Sequence, residues 1–112
     1  MKWMIILVTC LIYTATGYAA TNDLPLKNLQ LPSGFSVAVY AAHVKNAREM
    51  ALGDKGTVFV GSNAADKVYA IVPDSKNPQQ HKVITLAADL NQPTGVAFYK
   101  GDLYVAEVQR II

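Results

Sequence analysis

Sulfur chemistry is nearly missing from this chain: its 112 residues include one cysteine, Cys10. A single cysteine excludes an intrachain disulfide and a cysteine-ligated metal site. Charge is also scarce. Ten Lys and Arg against eight Asp and Glu leave a net charge of +2, with no basic run. That excludes the electrostatic footprint of a nucleic-acid-binding domain. No H-E-x-x-H, G-x-S-x-G, phosphate loop or nucleotide fingerprint occurs. No Asp-x-Asp-x-Asp loop occurs either, so an independent calcium site is not expected, nor any metal ligand within this chain. Helical periodicity is missing beyond the first twenty residues or so.

What the N-terminus does have is an apolar run, which inflates the hydrophobic fraction of 52%. Residues 1–20 read as a secretory signal peptide. Lys2 supplies the positive start, residues 3–13 are apolar except for Thr9, and Gly17-Tyr18-Ala19 places small residues before a cut after Ala19. A retained anchor is the competing reading, but a run of about a dozen residues is short of the ~20 that span a bilayer. A lipoprotein signal at Leu7-Val8-Thr9-Cys10 would place its cysteine very early, behind a poor residue. Cleavage would remove both Cys10 and Lys2, leaving a cysteine-free domain of charge +1 with no stable membrane span. A periplasmic or secreted location is expected.

Residues 21–34 form a leader punctuated by Pro25 and Pro32, with room for one short helical turn between Leu26 and Leu31. Pro32-Ser33-Gly34 reads as a turn into the first strand. From there the chain is strands. Residues 35–42 alternate apolar and small or polar side chains with the period of two of a sheet. Further strands are expected at 49–52, 57–61, 67–72 and 81–86, then at 95–98 and 103–106, with another beginning at 110–112. Gly53-Asp54-Lys55-Gly56 and residues 99–102 are the tight hairpin turns.

Much of this pattern occurs twice. Val37 to Val44 matches Val83 to Leu90, and Met50-Ala51-Leu52 matches Val96-Ala97-Phe98, both 46 residues on. Gly56 meets Gly101 and Phe59-Val60 meets Tyr104-Val105 at 45, and Lys67-Val68-Tyr69 meets Arg110-Ile111-Ile112 at 43. A repeat of this length made of four short strands is the make-up of a propeller blade. The fold expected is all-β and of propeller type, with one closing outer strand at 35–42, one full blade and part of a second. A small antiparallel meander is the simpler alternative. A closed ring needs at least four blades, so the 112 residues are expected to be the truncated N-terminal part of a longer protein. An orphan outer strand followed by one and a half blades does not tile a ring of short chains.

Five segments carry a resemblance to a known family. They are Leu31-Pro32-Ser33-Gly34-Phe35, Asn46 through Gly53, Gly56 through Gly61, Lys67-Val68-Tyr69-Ala70 and Gln92 through Phe98. In order and spacing they are similar to the opening of the PQQ-dependent sugar dehydrogenases, the glucose/sorbosone dehydrogenases, and most of all to their sorbosone dehydrogenase-like branch. The resemblance spans residues 29–112. It implies a six-bladed propeller, export, and oxidation of an aldose or related sugar. It also implies pyrroloquinoline quinone and calcium on the central axis, with the sugar and an electron acceptor as partners. The family's catalytic histidine belongs to a later segment; neither His43 nor His81 matches it, so no catalytic residue is assigned and the chain alone is expected to be inactive.

Within that frame three residues are candidates for cofactor binding: Arg48, Glu107 and Arg110. Arg48 enters an innermost strand, where a guanidinium suits a carboxylate of an anionic quinone. An ion pair of Arg48 with Glu49 or Asp89 competes with that reading. Glu107 and Arg110 flank a loop on the same face, either as part of a hydrogen-bond network or as a solvated rim pair. His81 is expected at the surface, His43 in a turn, and the aromatic residues between blades. Two functions outside the resemblance stay open: a non-enzymatic secreted propeller that binds a peptide or protein, and a lactonase-like propeller hydrolase.

Overall fold

The computed structural model describes residues 24–112, so the signal-peptide reading lies outside the described residues. The described residues divide into two units after Ser36, the second being Val37–Ile112. In the first, a single 3-10 turn forms at Leu26–Asn28. Phe35 N–H then donates to the Pro32 carbonyl at 3.1 Å across a turn whose third residue, Gly34, has φ +87°. A positive φ at that position is what a type II turn needs and what glycine supplies.

The second unit is all strand and turn, as its alternating pattern predicts. β1 (Ala47–Leu52), β2 (Val58–Ser62), β3 (Val68–Pro73) and β4 (His81–Ala87) form one antiparallel sheet in that order. β5 (Gly95–Tyr99) and β6 (Asp102–Ala106) form a second antiparallel sheet. The strand expected to begin at 110–112 is present only as an isolated bridge to β6. Ile112 N–H donates to Val105 O, Val105 N–H returns to Ile112 O, and Ala106 bridges to Ile111. The result is one four-stranded antiparallel meander and one two-stranded hairpin.

The repeat is written into the backbone. His43 and Asp89, 46 apart, are both left-handed (φ 63° and 57°), and so are Asn46 and Gln92 (54° and 46°). Gly56 and Gly101 repeat a left-handed turn residue at 45. The two inner hairpins differ in the residues between them. Lys100 and Gly101 both have positive φ in a two-residue loop closed by the Tyr99–Asp102 pair, the twist of a type I′ turn. In the first sheet, Gly56 N–H reaches Gly53 O at 3.1 Å and Gly53 N–H reaches Thr57 O at 2.8 Å, a longer turn ending in a left-handed glycine.

Residues 35–42 depart from the expected strand. They belong to no ladder, and the reason is hydrogen bonding. A strand needs a neighbour for its N–H and C=O groups, and the repeat mate of this stretch, β4, is paired to β3. Within the second unit, its end covers a sheet face instead. Ala41 and Val44 pack on the core of Val60, Tyr69 and Ile71, joined by Val58 and Val83. The Tyr40 ring lies 3.8 Å from that of His81. His81 is therefore half-buried, where surface exposure was expected, because an aromatic neighbour covers it.

The opposite face of the first sheet meets the second sheet. Phe59 and Phe98 stack with centroids 5.5 Å apart and planes 16° from parallel. Of the aromatics expected between blades, Phe59 and Phe98 pack between the two sheets, whereas Tyr40 lies against His81 and Tyr99 and Tyr104 are exposed. Among the described residues no helix is long and apolar enough to cross a membrane.

Candidate functional site

The loops at one end of the sheets hold Glu107 and Arg110, with Arg48 just inside β1. These loops are residues 43–46 before β1, 63–67 between β2 and β3, 88–94 between β4 and β5, and 107–110 after β6. One hydrogen bond fixes each pair of loops and recurs at 45 residues. Asn63 N–H donates to Asn46 O, and Val108 N–H donates to Asn91 O, both at 3.1 Å. Left-handed backbone at Asn46 turns the chain into β1, where an Asn side chain tolerates it.

The two repeats are stitched together here. Ser62 N–H donates to Pro93 O at 3.0 Å, and Leu90 N–H donates to Asp66 O at 3.1 Å. Gln92 N–H donates to the Asp66 carboxylate at 3.2 Å. Ser62 is fully buried and closes its own hairpin. Its hydroxyl donates to Lys67 O at 2.6 Å and accepts from Lys67 N–H at 3.0 Å.

Glu107 stands 45 residues after Ser62, at the same place in the second repeat, and is also buried. Its carboxylate accepts from Asn91 N–H at 2.6 Å through Oε1 and from Arg110 Nε through Oε2. Gln109 accepts from the Asn91 side-chain amide. Glu107 N–H donates to Arg110 O at 2.9 Å, so the turn is closed by backbone and side chains together. Glu107 thus pairs with Arg110 and also accepts from the Asn91 N–H, its own side chain covered. Arg110 itself is more than half exposed, with Nε taken and no partner for its terminal nitrogens among the described residues.

Arg48 lies exposed on β1. Among the described residues it makes no hydrogen bond or ion pair, so neither Glu49 nor Asp89 holds it. Glu49 instead sits against β5, with Oε2 3.7 Å from where a Cβ on Gly95 would stand. The structure brings Glu107 and Arg110 together and bonds Arg48 to neither. Sequence reasoning passed over Ser62, Asp66 and Asn91. The signal for Ser62 was present, since a polar residue ends each of Phe59-Val60-Gly61-Ser62 and Tyr104-Val105-Ala106-Glu107.

The Arg110 hydrogen bond, then the Asn91 N–H, hold the Glu107 carboxyl below its ordinary value of 4.5, against the smaller upward push of burial. A depressed carboxylate contributes stability that is fully present above the unfolded value and is lost as pH falls through the lowered one. Asp74, lowered by the N–H groups of Lys76 and Asn77, acts in the same direction. Urea midpoints followed from pH 7 down to pH 3 should therefore fall. Glu107→Gln should remove part of that slope and Asp74→Asn a separate part. An acid slope untouched by Glu107→Gln would contradict the bonding described.

At the other end of the sheets a cavity of about 340 Å³ lies by the β1–β2 and β5–β6 turns, against Phe59 and Phe98. It contains none of the candidate residues. Among the described residues no three His, Cys, Asp or Glu side chains converge as a metal site would require.

No family model matches this chain, and no solved structure matches it. It is similar to a protein of Borreliella burgdorferi (strain ATCC 35210 / DSM 4680 / CIP 102532 / B31) described as "Uncharacterized protein". The two are 24% identical over 106 residues, which cover 94% of this chain and 26% of that protein. The chain spans about a quarter of the length of the relative it matches.

Proposed function

We propose that the chain is the N-terminal part of an exported, quinone-dependent sugar dehydrogenase of the sorbosone dehydrogenase-like kind, built on a propeller and inactive by itself. Support comes from the five segments of resemblance. The observation that carries the reading furthest is the four-stranded unit restarting 45–46 residues on, with Arg48 and Arg110 by its loops. In this reading the chain binds and orients; it does not carry the reacting groups. Arg110, held at Nε by buried Glu107, presents its remaining donors to a carboxylate of the quinone. Arg48 offers a second guanidinium with no competing partner among the described residues. Glu107 is a positioning residue, since both its oxygens are occupied. Bound quinone would supply a hydride acceptor for the sugar carbon. The described residues do not fit calcium, having no converging acidic set, and no step is assigned to it. Neither His43, in a left-handed turn, nor His81, against Tyr40, is given the role of base.

Titration of the chain with pyrroloquinoline quinone tests this. Saturable binding is expected, weakened about tenfold by Arg48→Gln or Arg110→Gln, which is ~1.4 kcal/mol each. Glu107→Gln should weaken it less, by freeing the Arg110 side chain. Quinone-dependent dye reduction with aldoses should be absent for the chain and present for the longest reading frame that contains it. Absence of quinone binding to both would sink the proposal.

A further inference from the structure

The cavity of about 340 Å³ at the end of the sheets away from Glu107 and Arg110 takes all its lining from the two inner hairpins. It lies between the sheets and not on a bare outer face, because Phe59 and Phe98, which stack across that junction, form its apolar side. Ala97, Tyr99 and Tyr104, exposed on β5 and β6, point to the other side of the second sheet by the alternation of a strand. Met50 and Leu52 likewise lie on the side of the first sheet opposite Phe59. A neighbour packed on either of those outer sides leaves the cavity as it is.

The polar lining is of three kinds. Asp54 brings an acceptor carboxylate, Lys55 an ammonium with three donors, and Thr57 a hydroxyl that does either. Among the described residues none of these three side chains makes a hydrogen bond or an ion pair. Lys100, on the neighbouring turn, lies over the Tyr99 ring instead, 5.1 Å from its centroid. Gly53 keeps the wall thin, since a Cβ there would stand 2.8 Å from Phe59 Cε2.

Asp54 and Lys55 are consecutive, so their side chains start about 3.8 Å apart, beside an apolar wall. That is the complement of a molecule whose ammonium and carboxylate sit on one carbon next to an apolar side chain. A simple anion would meet the Asp54 charge, a simple cation would meet Lys55, and a neutral ring would use neither. The volume lies at the small end of the roughly 300–1,000 Å³ of small-molecule sites, room for one amino acid and not for a peptide.

We propose that this cavity binds a free α-amino acid with an apolar side chain. Asp54 takes the ammonium, Lys55 the carboxylate, and Phe59 and Phe98 the side chain, with the Thr57 hydroxyl as a further polar partner. The inference rests on the cavity and not on the dehydrogenase reading; Arg48 and Arg110 have no part in it. Both charged residues are exposed, so each ion pair adds little and the affinity is modest, with a Kd of about 0.1–1 mM.

L-Phenylalanine is the probe, titrated by calorimetry into the chain and into the longest reading frame that contains it. Phenethylamine, which lacks the carboxylate, and 3-phenylpropionate, which lacks the ammonium, should each bind about three- to fivefold more weakly, the measure of one exposed charge pair. Asp54→Asn should weaken phenylalanine by a similar factor without weakening 3-phenylpropionate. Lys55→Gln should weaken phenylalanine without weakening phenethylamine. Both positions lie in a turn outside every ladder, and circular dichroism should show both variants folded. Arg110→Gln should leave phenylalanine binding unchanged, whatever it does to quinone binding. Amide shifts on binding should fall on residues 53–59 and 98–101. Equal affinity for all three compounds would reveal a merely apolar hole and overturn the proposal. So would shifts confined to other residues, or no binding by either protein at about 10 mM phenylalanine.

Discussion

Gly61→Ala should be the most damaging single-methyl change in the second unit, costing about 3 kcal/mol or more, at the upper end of overpacking. A Cβ built there would stand 2.5 Å from Pro93 O and 2.7 Å from Thr94 O. Both are backbone atoms, so no side chain can swing away to make room. The segment that would have to move also accepts the Ser62 N–H bond at Pro93 O and leads into β5. Pushing it away therefore breaks a hydrogen bond and separates the two sheets together. Domains of this size have about 5 kcal/mol or so in hand, so the variant should be largely unfolded in mild urea. Gly53→Ala is the control. Its nearest obstacle is Phe59 Cε2 at 2.8 Å, the end of a side chain, and the expected cost is about 1 kcal/mol. Urea denaturation followed by circular dichroism measures both. A Gly61→Ala chain as stable as the parent would mean that residues 93–94 do not lie on β2.

How much of this was legible beforehand depended on whether the determining interaction was local. Alternation and turn chemistry are local, and the six strands formed within one or two residues of their expected bounds. The repeat was legible because the same left-handed positions need the same kind of residue; His43 and Asp89 share a backbone state that no single-position propensity would pair. Residues 35–42 had the alternation but not the partner. Pairing is a property of the neighbour, and that stretch packs Ala41 on a face instead of extending an edge. The same limit applied to the site. Arg110 and Glu107, three residues apart, are close enough for sequence to suggest the pair. The Asn91 N–H that holds the other carboxylate oxygen comes from 16 residues away. Gly61 carried no warning at all, since a glycine among β-branched residues reads as a weakness until another backbone is seen against it.

Val60→Ala should cost about 2–3 kcal/mol, from two lost methyl groups at ~0.8 kcal/mol each plus the cavity left behind. Met50→Ala, at its cross-strand partner on the same face, should change stability by less than about 0.5 kcal/mol at low protein concentration. The pair isolates burial from everything else, because the two residues are directly opposite in the β1–β2 ladder. Val60 is 1% exposed, beneath the cover of Ala41 and Val44, while Met50 is 71% exposed. Truncating Val60 leaves a void that Tyr69 and Ile71 are held too firmly by their own strands to fill. Truncating Met50 removes surface that water already reaches. Urea midpoints should separate the variants with unchanged slope, since neither alters the area exposed on unfolding by much. Equal costs at low concentration would mean that residues 41–44 do not cover the face. That would leave the first sheet open along its whole width.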